Sequence, residues 1–76
     1  MARLVDSGVM SPRQRRILAF IEAYIAEHEY SPSVREIAAA EHLHTSTIAY
    51  QLTELEAAGL ITRGERIARS LRVVKP

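Results

Sequence analysis

Ser46, Thr47 and Tyr50 lie within one and a half helical turns of each other, in a stretch where Ile48, Leu52 and Leu55 repeat at helical spacing. If this stretch is a helix, the aliphatic side chains share one face. Ser46, Tyr50 and Thr53 then fall on the opposite face, with Thr47 and Ala49 beside them. Short hydroxyls and a polar-tipped ring near a helix N-terminus suit hydrogen bonding to base edges in the major groove of a duplex. Thr45 joins this candidate base-reading set, which is Thr45, Ser46, Thr47, Ala49 and Tyr50. Glu54, further along, is the one residue on that outer face that phosphates would repel. Other chemistries find no support. His28, His42 and His44 lack an Asp, Cys or further His at a usual ligand spacing, so no metal is expected. Ser and Lys are both present, but Lys75 is terminal and nothing around the serines marks a nucleophile, so neither an enzyme nor a cofactor is expected.

The net charge of +1 hides a strong segregation. Residues 1–16 carry four arginines against Asp6, a balance of +3, and residues 17–59 carry Arg35 against seven glutamates, a balance of −6. Residues 60–76 carry Arg63, Arg66, Arg69, Arg72 and Lys75 against Glu65, a balance of +4. Basic ends and an acidic middle allow a dipolar surface with one side turned to a polyanion. With 76 residues there is room for one core and no deep substrate pocket. The absence of cysteine excludes disulfides and thiolate chemistry. No apolar run is long enough to cross a bilayer, and Met1 to Met10 does not read as a signal peptide, so a soluble cytoplasmic protein with no membrane partner is expected.

The elements that must position these residues are also marked. Ser11-Pro12-Arg13-Gln14 reads as a capping box with proline at the first helical position, opening a helix to about Glu29 with Ile17, Leu18, Ile21, Tyr24 and Ile25 on its inner face. Tyr30-Ser31-Pro32 breaks it. Ser33-Val34-Arg35-Glu36 is a second capping box, opening a short helix that buries Ile37, Ala38 and Val34 and ends at His42. Leu43 turns inward, and the third helix begins at His44-Thr45 or Ser46, with His44 as a cap or a phosphate contact. Gly59 is a left-handed stop. Leu60–Arg63 and Ser70–Val74 read as two strands of a hairpin, with the polar segment 64–69 at its tip and Ile67-Ala68 as an apolar pair there. Tyr24 and Tyr30 are expected to pack in the core and hinge. The predicted fold is α+β and mostly α: a winged helix-turn-helix of three helices and a C-terminal hairpin wing over residues 11–76, preceded by an N-terminal arm, residues 1–10.

Ser11-Pro12-Arg13-Gln14, Ser31-Pro32-Ser33-Val34-Arg35-Glu36-Ile37, Leu55-Glu56-Ala57-Ala58-Gly59-Leu60-Ile61 and Arg69-Ser70-Leu71 together resemble the N-terminal DNA-binding domain of LexA-type SOS repressors. The resemblance covers residues 10–74. It implies a dimer on a palindromic operator, the third helix in the major groove and the wing on the backbone. It also implies that Ser46, Thr47, Ala49 and Tyr50 read bases, and that Arg13, Ser33 and Arg35 sit where helix starts approach phosphates. The wing arginines Arg63, Arg66 and Arg69 are expected on the backbone. The sequence departs from the family in three ways. The turn into the recognition helix, Leu43 to Ile48, is one residue shorter. The recognition side chains differ, so the operator need not be an SOS box. The chain stops at Pro76, so the self-cleaving serine-lysine domain is expected to be absent.

The function expected is therefore a sequence-specific double-stranded DNA-binding regulator, a repressor acting as a homodimer on DNA and carried by a phage or plasmid. The alternative is a winged-helix protein-interaction module, a corepressor or antirepressor with a protein partner. The weak net charge, Glu54, and alanine at positions 57 and 58 favour that alternative.

Overall fold

The computed structural model describes residues 10–64 and 69–74. The expectations for the arm at residues 1–9, for Arg66, for the Ile67-Ala68 pair and for Lys75 lie outside the described residues.

Helix α1 (Pro12–His28) starts at the predicted serine. The Ser11 side chain accepts from the Gln14 N–H, and the Gln14 side chain accepts from the Ser11 N–H, each at 3.2 Å. Two of the donors that a helix start leaves orphaned are thereby satisfied, and such a cap stabilises by roughly 0.5–2 kcal/mol. Helix α2 (Val34–Glu41) repeats the device with Ser33 and Glu36, at 3.1 and 2.8 Å. Helix α3 (Thr45–Ala57) follows after three residues. His44 stands at its N-cap without a side-chain hydrogen bond; its carbonyl accepts from the Thr47 and Ile48 N–H groups instead. Capping by the His44 side chain is therefore not what starts this helix.

All three helices stop by turning left-handed at or just after the cap. Glu29 has φ 67°, His42 φ 58° and Gly59 φ 80°. After α2, the Leu43 N–H reaches back to Ala38 O at 3.0 Å, and after α3 the Leu60 N–H reaches Leu55 O at 3.0 Å, the six-to-one bond of a Schellman stop. These bonds turn Leu43 and Leu60 back against the core.

The core is Ile17, Ile21, Ile37, Ala38, Ile48, Leu52, Leu55, Ile61 and Leu71, drawn from all three helices and from both sides of the wing base. The predicted inner faces of the helices are the observed ones, although Leu18, Tyr24 and Ile25 on α1 and Val34 on α2 are only half-buried. The chain closes in an antiparallel pair of short strands, β1 (Ile61–Thr62) and β2 (Arg72–Val73), in the register Ile61 to Val73 and Thr62 to Arg72. Three helices and this sheet make a winged helix-turn-helix. The strands are shorter than the sequence suggests, because side chains engage the backbone at their ends. Opposite Gly64, the Ser70 side chain takes the place of a ladder bond, accepting from the Gly64 N–H at 2.8 Å. Arg69 beside it is left-handed, φ 54°. The Leu71 N–H turns to the hinge and donates to the Oγ of fully buried Ser31 at 3.1 Å.

Candidate nucleic-acid interface

With Ile48, Leu52 and Leu55 fixed inward, the rest of α3 is turned outward. Thr45, Ser46, Ala49 and Tyr50 are exposed and Thr47 is half-buried. Tyr50 is 61% exposed, the most open large hydrophobic side chain among the described residues. Thr53 donates its hydroxyl to Ala49 O, which leaves Ser46, Thr45 and Tyr50 as the polar groups free to meet a groove. No acidic residue stands in the first turn of α3, so its own carboxylates do not offset the positive end of the helix dipole. Glu54 is exposed further along, away from that end.

The predicted backbone contacts divide into two kinds. Arg13, half-buried in the first turn of α1, and Arg35, exposed in the first turn of α2, have no hydrogen-bond partner among the described residues. His44 is exposed at the head of α3. Ser33, Arg63 and Arg69, in contrast, are brought together around one shallow recess of about 320 Å³ between the start of α2 and the wing, and each is already engaged. Ser33 Oγ accepts the Glu36 N–H. Arg63 Nε donates to Glu56 Oε1 at 3.0 Å, tying the end of β1 to α3.

Arg69 is engaged most fully. Its Nη1 donates to Glu36 Oε1 at 2.9 Å and to Ser31 O at 3.2 Å, its Nη2 donates to Glu36 Oε2 at 3.3 Å, and its guanidinium lies 5.1 Å from the centre of the Tyr30 ring. Tyr24 Oη lies 3.4 Å from Nη1 and donates to Glu36 Oε2 at 3.2 Å. Beside the Arg69 guanidinium, and accepting the Ser33 N–H, the Glu36 carboxyl is held down at about 2. Burial pushes the Tyr24 phenol up, and the Arg69 hydrogen bond works against that shift. The Glu36–Arg69 pair stays fully ionised at neutral pH. Tyr24 and Tyr30 do pack at the hinge, edge to face at 5.8 Å, with His28 4.1 Å from Tyr24, yet Tyr30 remains 45% exposed.

Sequence reasoning missed Tyr24, Ser31 and Glu36 as parts of the site. The signal that existed is the identity of the capping-box residue, glutamate in the second box and glutamine in the first. Among the described residues there is no group of three or more His, Asp and Glu side chains fit to hold a metal ion, and no helix is long and apolar enough to cross a membrane.

Residues 7–70, from before α1 to the far side of the wing, match the LexA DNA binding domain family. The chain belongs to that family. It is 46% identical over 69 residues to the LexA repressor of Roseiflexus sp. (strain RS-1), a match covering 90% of this chain and 32% of the relative. To LexA repressor 1 of Nocardia farcinica it is 43% identical over 70 residues, covering 91% of the chain and 32% of that protein. The LexA repressor of Pseudothermotoga lettingae is 42% identical over 65 residues, with 86% and 32% covered. The chain thus spans about a third of the length of these relatives. It is a LexA-type DNA-binding domain, and the exposed face of α3 and the wing are the parts of that domain described above.

Proposed function

We propose that this LexA-type domain binds double-stranded DNA sequence-specifically and represses transcription from a palindromic operator on which two copies pair. The observation that carries this reading is the α3 surface. Its buried face is fixed by three fully buried aliphatic residues, so Thr45, Ser46, Ala49 and Tyr50 cannot be withdrawn from the face offered to a partner. Thr47 stands at the edge of that face. Arg13, Arg35 and His44, at the three helix starts, are the backbone contacts. They are joined by Arg63, at the end of β1, and by Arg66. Phosphate contacts fix register and orientation; the hydroxyls and the Tyr50 ring supply discrimination.

Selection from random duplexes tests the reading, followed by affinity measurement over a salt series. If five or six phosphates are contacted, log affinity should fall against log salt with a slope of about −5, because each neutralised phosphate releases condensed counterion. The selected site should be two-fold symmetric, with half-sites about one helical turn, ~10 base pairs, apart. Enrichment of no duplex, or binding indifferent to salt, overturns the proposal, and loss of only a protein partner on changing Tyr50 would transfer the role to protein recognition.

A further inference from the structure

The two capping boxes of this domain are alike in geometry and differ in one atom of chemistry. Both N3 side chains offer an Oε1 to the N–H of the capping serine, Gln14 to Ser11 and Glu36 to Ser33. Glutamine therefore suffices for the cap in this very chain, and a carboxylate at position 36 answers to something else. It answers to Arg69. Both carboxylate oxygens are taken by the two Nη atoms of that guanidinium, at 2.9 and 3.3 Å. This is the two-pronged geometry that suits arginine and not lysine.

Arg69 is placed where the chain returns from the wing tip. Its backbone is left-handed, and the next two residues make the anchors of the wing base, Ser70 with Gly64 and Leu71 with Ser31. The sheet itself has only two residue pairs, too few to hold a hairpin in one orientation. On the opposite corner, Arg63 is held to α3 by Glu56. The wing is thus moored at one corner to the recognition helix and at the other to α2 and the hinge.

We propose that Glu36 and Arg69 are a positioning pair, which fixes the wing relative to α3 so that both reach the same stretch of DNA, with Arg69 acting through the wing and not as a phosphate contact of its own. The inference rests on the DNA-binding reading above and replaces the role that the sequence suggested for Arg69.

The test uses a sign that charge alone predicts wrongly. Glu36→Gln keeps the capping box and removes one negative charge from a domain of net charge +1. By simple electrostatics that strengthens binding to a polyanion. A positioning role requires the reverse. Glu36→Gln and Arg69→Gln each weaken binding to the selected operator by about tenfold, the scale of a single charge-assisted hydrogen bond, and the double variant is no weaker than either single one. Arg69→Lys does not restore affinity, since it keeps the charge and loses the fork. Circular dichroism at the assay temperature confirms that each variant is folded. Undiminished binding by Glu36→Gln beside weakened binding by Arg69→Gln would make Arg69 a direct phosphate contact and overturn the proposal, as would additive losses. If the unaltered domain binds no duplex, the DNA reading falls on its own. The pair is then judged in the free protein by nuclear magnetic resonance: Glu36→Gln should shift the Gly64 and Leu71 amides and the Tyr30 ring, and unchanged signals there would refute it.

Discussion

Tyr50 shows most clearly how a single side chain is assigned by what its neighbours must do. Burying it would rotate α3 and expose Ile48, Leu52 and Leu55, each worth roughly 1.5–3 kcal/mol when buried. The observed exposure of 61% agrees with that argument. Tyr50→Ala should therefore leave the melting temperature nearly unchanged and weaken operator binding by about 1–3 kcal/mol, the scale of one good base contact. Calorimetric melting and titration with the selected duplex measure the two separately. A variant that melts much earlier would show that the ring supports the fold. Arg69 teaches the converse at the same scale. By charge and position in sequence it looks like the wing arginines around it, and its partners lie 33 to 45 residues away. Nothing local could reveal that they converge on it.

At the scale of elements, what was legible in the sequence was what is decided within a few residues. Ser-Pro-Arg-Gln and Ser-Val-Arg-Glu start helices because the atoms that satisfy the first N–H groups are carried by the same four residues. The core faces of α1 and α3 were legible for the same reason, since period and burial coincide. The strands were overestimated because their ends are set by Ser70 and Ser31 side chains acting across the fold. The helix stops carry a testable asymmetry. Gly59 adopts φ 80°, and an added Cβ there would meet no atom within 4 Å. Gly59→Ala should therefore cost only the conformational strain, about 1–2 kcal/mol. His42 sits at φ 58° and already bears that strain. His42→Gly should raise stability by at most about 1 kcal/mol, less what glycine adds to the freedom of the unfolded chain. Urea unfolding of both variants checks the pair. Loss of stability on His42→Gly would mean that the imidazole makes a contribution beyond its backbone geometry.

For the whole molecule, the helices and the wing are tied in at very different distances along the chain. α2 and α3 are neighbours in sequence and share the core through Ile37, Ile48 and Leu52. The wing base hangs on Ser31 from Leu71, forty residues on. A link of that span repays its loop-closure cost only once the rest of the chain is ordered, so in folding the wing should dock last. Ser31→Ala removes the acceptor of the Leu71 N–H and leaves a buried donor unpaired, a loss of roughly 1–3 kcal/mol. In stopped-flow kinetics that loss should fall almost wholly on unfolding, accelerating it about tenfold while the folding rate barely moves. A folding rate that dropped in step would put the wing inside the transition state. The buried serine that holds the wing base is then also a clock: it sets how long the assembled domain lasts and leaves untouched how fast it forms.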